Sequence, residues 1–279
     1  MKESDNKKSP IGVFDSGYGG LTILDKIQEK LPGYDFIYLG DNARAPYGSR
    51  SFEIVYKFTL EAVKKLFDMG CNLVILACNT ASAKALRSIQ QNDLPLIAPS
   101  NRVLGVIRPT AEYVALKSKT RHVGLFGTQG TVQSNSYPLE LKKLAPDLRV
   151  ESLACPMWVP LIENGEAYGQ GADYFVKKYV DILLEKDDDI DSIILGCTHY
   201  PILKSKIESC LPKSIEVISQ GELVAESLAD YLNRHPEIDR RISKNGETHF
   251  YTTESADKFS DLASLFLNRN VDVEHLDIE

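Results

Sequence analysis

Two apolar strand-like runs, each ending in a cysteine, constrain this chain more than any other feature. Val74-Ile75-Leu76-Ala77-Cys78-Asn79-Thr80 is echoed 119 positions later by Ile193-Ile194-Leu195-Gly196-Cys197-Thr198-His199. Gly12-Val13-Phe14-Asp15-Ser16 is matched by Gly124-Leu125-Phe126-Gly127-Thr128 at an offset of 112, and Ile97-Ala98-Pro99-Ser100 by Ile218-Ser219-Gln220-Gly221 at 121. Ordered matches at similar offsets describe two related halves rather than a short-period solenoid.

Short β-branched runs alternate with longer helical patterns, the signature of βαβ units and a parallel sheet, so the fold class is α/β. The expected strands are 11–14, 36–39, 73–77, 96–98, 122–126, 149–154, 192–196, 215–218 and 247–252. Between the second and third, Ile54, Phe58, Ala62 and Leu66, with Val55, Val63 and Phe67 beside them, fall on one helical face. Another helix is expected over Glu222 to Asn233, and Ser255 is placed to cap one ending near Arg269. A chain of 279 residues is long enough for about two domains, each with its own core. The expected division is a first lobe over 1–103, a second over 104–214, and a return to the first over 215–279. Met1 to Ser9 is polar, reads as a frayed tail, and lacks the apolar stretch of a secretory signal. The polar segment 234–246 is expected to be exposed.

Charge and cysteine usage narrow the function. With 39 acidic against 32 basic residues, the net charge is −7 and no long Lys/Arg run exists. That argues against nucleic-acid and anionic-membrane partners. No apolar stretch approaches the ~20 residues of a membrane span. Cys71, Cys78, Cys155, Cys197 and Cys210 form no C-x-x-C pair and no zinc spacing with the five histidines. An odd count without a signal fits free thiols in a reducing cytosol. The expected location is therefore cytoplasmic, with no metal.

In parallel α/β folds ligands bind beyond the carboxyl ends of the strands. Asp15-Ser16-Gly17, Cys78-Asn79-Thr80, Gly127-Thr128 and Cys197-Thr198-His199 lie there, each expected to precede a helix whose first N–H groups attract anions. Ser16, Asn79, Thr80, Thr128 and Thr198 add neutral donors, which suits a carboxylate-bearing small molecule held without an arginine. Two facing thiols suit transfer of a proton from one face of a carbon to the other, one sulfur as thiolate and its partner as thiol. Ionising a thiol of pKa about 8.5 at pH 7 costs about 2 kcal/mol. A helix N-terminus returns about 0.3–1 kcal/mol, and up to about 2 when partly buried. The strand-to-helix position is thus expected to bring each sulfur near operating pH. Asp15 and His199 would assist the adjacent sulfur. Cys71 and Cys210 read as packing residues, Glu163 lies within helical reach of Cys155, and His122, His235, His249 and His275 have no assigned role.

Three rival readings compete with this one. Gly17-Tyr18-Gly19-Gly20, with Asp41 past the second strand, begins like a dinucleotide fingerprint, but position 22 holds Thr22 instead of the third glycine. Asp15 would also set a negative charge beside the pyrophosphate. A cysteine-nucleophile amidohydrolase would use Cys197 with His199 as base, yet i, i+2 across a strand-to-helix turn places that pair poorly, and the second cysteine would be superfluous. A non-catalytic carboxylate-binding module is the third.

Taken together the motifs resemble the glutamate racemase family. The matching segments are Gly12 to Leu21, Asp41-Asn42-Ala43-Arg44-Ala45-Pro46-Tyr47-Gly48, Leu76 to Ala83, and Leu195 to Pro201. Gly127-Thr128 with Thr131, and Cys155-Pro156-Met157-Trp158-Val159-Pro160-Leu161, match more weakly. The resemblance implies two similar flavodoxin-like lobes with the active site in the cleft between them. It implies a cofactor-independent enzyme that interconverts L- and D-glutamate, whose product feeds peptidoglycan synthesis. Carried over, Cys78 is the base for D-glutamate and Cys197 the base for L-glutamate, with Asp15 and His199 supporting them and Glu163 a further acidic group. Substrate contacts are implied for Asp15, Ser16, Tyr47, Gly48, Asn79, Thr80 and Thr198. The related aspartate racemases typically carry an acidic residue where His199 stands, which favours glutamate. A homodimer is the implied assembly. Trp158, where phenylalanine is common, and Thr110, where a small residue is, are departures expected to touch the inter-lobe region rather than the reaction.

Overall fold

The structure, a computed structural model, describes residues 8–278. Most of the tail expected over Met1 to Ser9 lies outside the described residues, but Ser9 is buried and bridges to Ile242. Among the described residues there are ten strands: β1 (Ile11–Asp15), β2 (Phe36–Gly40), β3 (Leu73–Leu76), β4 (Arg102–Gly105), β5 (His122–Gly127), β6 (Arg149–Ala154), β7 (Ser192–Gly196), β8 (Glu216–Ile218), β9 (Thr248–Thr252) and β10 (Val273–His275). They form a six-stranded sheet of order β10-β9-β2-β1-β3-β4 and a four-stranded sheet of order β6-β5-β7-β8. Every strand pairing is parallel.

The order 2-1-3-4 in one lobe is repeated as 6-5-7-8 in the other, so β1 corresponds to β5 and β3 to β7. Two of the three sequence echoes therefore follow the duplication. The third does not, because Ile97 closes a short helix (Leu94–Ile97) whereas Ile218 closes β8. The strand expected at 96–98 is replaced by β4 a few residues later. Pro95 sits in the first turn of that helix, where its missing N–H and fixed φ are tolerated, and it could not donate to a ladder. Leu96 is exposed there, whereas Val103 is buried and pairs with Val74 of β3.

The lobe boundaries shift accordingly. Residue 103 falls inside β4, which pairs in the first sheet, and β8 at the start of 215–279 pairs in the second. The chain turns back with the helix Gly221–Arg234, whose Val224, Ala225, Leu228 and Leu232 join the first lobe's core. Ile238 and Ile242 are buried in that same core, so the segment 234–246 is anchored rather than simply exposed. Burying each such side chain stabilises by about 1.5–3 kcal/mol.

Ser51 caps the helix Phe52–Asp68 by accepting from the Ile54 N–H. Its buried stripe is Val55, Thr59, Ala62, Val63 and Leu66, rotated from the expected face so that Ile54 is exposed. Thr59 can be buried because its hydroxyl donates to the Val55 carbonyl at 2.7 Å. Ser255 caps the helix Ala256–Leu267, which ends at Asn268 in the left-handed conformation with φ 51°.

Candidate active site

Strand order reverses at β1/β3 in one sheet and at β5/β7 in the other, the positions where parallel α/β sheets open a crevice. All four strands carry the polar residues singled out in the sequence at their carboxyl ends. The crevices share one cavity of about 550 Å³, lined by Ser16, Tyr47, Gly48, Cys78, Asn79, Thr80, Thr128, Glu163, Cys197, Thr198 and His199 among others. Asp15 is not in its wall. It sits behind, almost fully buried, with one carboxylate oxygen accepting from the Gly17 N–H at 2.7 Å and the other from the Thr198 hydroxyl at 3.4 Å.

The two sulfurs have different surroundings. Cys78 is the N-cap of the helix Asn79–Lys84; its Sγ accepts from the Ala81 N–H at 3.4 Å and lies 3.3 Å from the Ser16 hydroxyl. Cys197 is followed by a 3₁₀ turn (Tyr200–Leu203) with Pro201 in it, so only one sulfur caps an α-helix. Its Sγ lies 3.9 Å from His199 Nδ1, and His199 Nε2 lies 2.9 Å from Glu163 Oε1. The turn after β7 folds the imidazole back towards Cys197, so the i, i+2 pair expected to be poorly placed is brought together.

Electrostatics follow from these contacts. Burial, reinforced by the nearby Asp15 charge, pushes the Cys78 thiol up to about 12 against the opposing Ser16 and Ala81 bonds. Ionising it at pH 7 then costs on the order of 7 kcal/mol, beyond the ~2 kcal/mol that a helix N-terminus returns. The expected activation by the cap alone is overruled by desolvation, and Cys78 rests as a thiol. Burial opposes charge on His199, yet its bonds to Cys197 and Glu163 and their charges prevail and raise it to about 10. The site thus holds an imidazolium beside one sulfur and a neutral thiol at the other. Burial also raises Asp15, with His199 and the Gly17, Gly20 and Thr198 bonds pulling the other way.

Several expected ligands prove to be engaged elsewhere. The Asn79 amide donates to Gln220 Oε1 at 2.5 Å and accepts from the Tyr137 hydroxyl at 2.6 Å. Gln220 in turn donates to Tyr137 and Thr110, so this buried network ties the lobes together. The Tyr47 phenol donates to Asp41. Thr80 of the first lobe meets Thr128 at 3.0 Å and Thr131 at 3.4 Å in the second. Thr110 therefore does belong to the inter-lobe seam, whereas Trp158 is fully buried in the second lobe's own core against Phe126 and Tyr200.

The glycine-rich turn after β1 receives protein rather than phosphate. A Cβ on Gly19 would lie 2.3 Å from Thr198 Oγ1 and 2.4 Å from His199 Nδ1, and one on Gly20 2.5 Å from Asp15 Cβ. Sequence reasoning missed Asn42, Lys258 and Leu262 in the cavity wall and Gln220 behind it. Asn42 stands inside a quoted motif and Gln220 inside a quoted echo, whereas Lys258 and Leu262 come from a segment with no local signal. Cys155 lines the cavity, while Cys71 is packed in the first lobe's core. His122 begins β5, at the opposite end from the cavity, and its Nδ1 pairs with the Asp187 carboxylate at 2.7 Å.

The Asp/Glu/Hydantoin racemase family model matches residues 11–228. A glutamate racemase of Ruegeria sp. (strain TM1040) is 43% identical over 274 residues, covering 95% of this chain and 98% of that relative. One from Shouchella clausii (strain KSM-K16) is 42% identical over 265 residues, 94% of this chain and 92% of the relative. Among solved structures, glutamate racemase isoform RacE1 from Bacillus anthracis aligns with a TM-score of 0.88 at 38% identity, covering 97% of this chain and 98% of that one. The glutamate racemase from Francisella tularensis subsp. tularensis SCHU S4, in complex with D-glutamate, aligns with a TM-score of 0.87 at 34% identity over 99% of both chains.

Proposed function

Because the chain belongs to the Asp/Glu/Hydantoin racemase family, we propose that it interconverts L- and D-glutamate by passing the α-proton between two cysteine sulfurs. It is an isomerase that racemises glutamate and so supplies the D-enantiomer for peptidoglycan synthesis. The observation that carries the two-sulfur reading is the shared cavity, into which the equivalent strands β3 and β7 deliver Cys78 and Cys197.

For L-glutamate, Cys197 as thiolate takes the α-proton and Cys78 as thiol returns one to the other face of the carbon. For D-glutamate the roles exchange. The His199 imidazolium is the charge partner of Cys197, and Glu163 holds that imidazole. On the other side the Ser16 hydroxyl touches Cys78 and the buried Asp15 carboxyl lies behind it. A substrate α-ammonium brought close to Asp15 and Cys78 would offset the negative charge that Cys78 must carry when D-glutamate is consumed. Ser16, Thr128, Thr198 and the backbone of Tyr47, Gly48, Asn79 and Thr80 are the groups proposed to hold the two carboxylates.

The reaction needs no cofactor in this scheme. Among the described residues no helix is long and apolar enough to cross a membrane, and the proposed setting is the cytoplasm, with a homodimer as the proposed assembly. Incubation in D₂O tests the reaction: each enantiomer should gain deuterium at the α-carbon while its circular dichroism decays to zero, without pyridoxal phosphate. Glutamate that keeps its optical activity and its α-hydrogen would refute it. The Glu163–His199–Cys197 series also suits a thiol nucleophile, and a trapped acyl-enzyme in denaturing mass spectrometry would favour that second reading.

A further inference from the structure

The helix Ala256–Leu267 belongs to the first lobe and lies beyond the segment matched by the family model. It nonetheless presents one face to the site. Lys258, Leu262 and Phe266 stand at i, i+4 and i+8, the first two in the cavity wall and the third against His199. The Phe266 and His199 ring centroids are 5.4 Å apart with planes at 87°. Phe266 packs against the apolar cores of both lobes. It is braced from behind by Tyr18, stacked at 6.4 Å and 14°, which itself packs on the buried Phe259.

Orientation of the imidazole matters because its two nitrogens serve different partners. Glu163 at Nε2 and Cys197 at Nδ1 lie toward the ring's edge and resist rotation in its plane. They oppose least a rotation of the ring about the line joining its two nitrogens. A perpendicular aromatic ring within the 4.5–7 Å range of favourable edge–face pairs opposes that rotation.

We propose that Phe266 is a positioning residue for the reaction, holding the His199 imidazole in the orientation that supports proton transfer at Cys197. The proposal rests on the roles given above to His199 and Cys197. Its consequence is directional: loosening His199 raises the barrier for transfer between the α-carbon and Cys197 and leaves the Cys78 step untouched.

The test uses the full-length enzyme with L-[2-²H]- and D-[2-²H]glutamate. A Phe266→Leu variant should lose about 3- to 10-fold in kcat, the scale of one aromatic pair. Its primary isotope effect should rise with the L-substrate, whose deuterium goes to Cys197, and fall with the D-substrate, whose deuterium goes to Cys78. Phe266→Tyr, which keeps the ring, should restore both isotope effects. A partly unfolded sample lowers the active fraction but cannot move an isotope effect, so the readout survives poor folding. Unchanged effects, or effects that shift equally for both enantiomers, overturn the proposal. Absence of α-hydrogen exchange in the wild-type enzyme would overturn the proton-transfer reading and the proposal with it.

Discussion

Replacing Gly19 with alanine puts one methyl group where the turn after β1 abuts Thr198 and His199 of the other lobe. The added carbon would lie 2.3 Å from Thr198 Oγ1, 2.4 Å from His199 Nδ1 and 2.8 Å from His199 Cε1. Ordinary contacts lie at about 3.5–4.0 Å, so these groups must retreat by roughly 1 Å. Neither is free to do so. The Thr198 carbonyl accepts from Thr22 at 3.1 Å, its hydroxyl donates to Asp15, and His199 is tied to Glu163. Overpacking of this kind costs about 1–3 kcal/mol of stability, while a 1 Å displacement of a working group can cost about 10²-fold in rate. Gly19→Ala should therefore lose about 100-fold in kcat and melt at a lower temperature. Gly33→Ala, where a methyl meets nothing within 4 Å, should keep full activity and stability. Time-resolved circular dichroism on pure L-glutamate, with thermal unfolding of both variants, makes the comparison. A Gly19→Ala enzyme within threefold of wild type would refute the claim that lobe approach fixes His199.

Cys78→Ala or Cys197→Ala should lower racemisation by about 10²–10⁴-fold, the usual worth of a positioned acid or base; full activity in either would remove the two-sulfur scheme. The His199 imidazolium, raised to about 10 from 6.5, contributes stability that is complete below pH 6.5 and is lost as pH climbs through 10. Glu163→Gln removes one of the two bonds that raise it, so the alkaline limb of kcat/KM should move to lower pH, and an unmoved limb would deny Glu163 that role. Gln220→Ala leaves the Asn79 amide without its acceptor and strips Thr110 of a donor, and should cost about 1–3 kcal/mol per orphaned group in urea unfolding.

The four strand ends that build the cavity were legible because each is a buried apolar run closed by a small or polar residue, a local pattern. β4 was not, since Ile97-Ala98 imitates a strand and only the exposure of Leu96 and the helical turn at Pro95 exclude it. Asn79, read from its strand end, and Tyr47, implied by the family resemblance, both line the cavity, but their side chains are spoken for by the tertiary partners Gln220, Tyr137 and Asp41. Cys78 was expected to be acidified by its helix; burial and Asp15 act from outside the local sequence and win. Phe266 carries no local signal because its neighbours lie far away along the chain, and Gln220, though inside a quoted echo, gains its role only from distant partners.

Where the hydroxyls of Thr80, Thr128 and Thr131 meet, the lobes are fastened by groups that water can replace one for one. Each such bond is worth only about 0.5–1.5 kcal/mol net. Separating the lobes along that edge therefore exchanges protein hydrogen bonds for hydrogen bonds to water at little net cost.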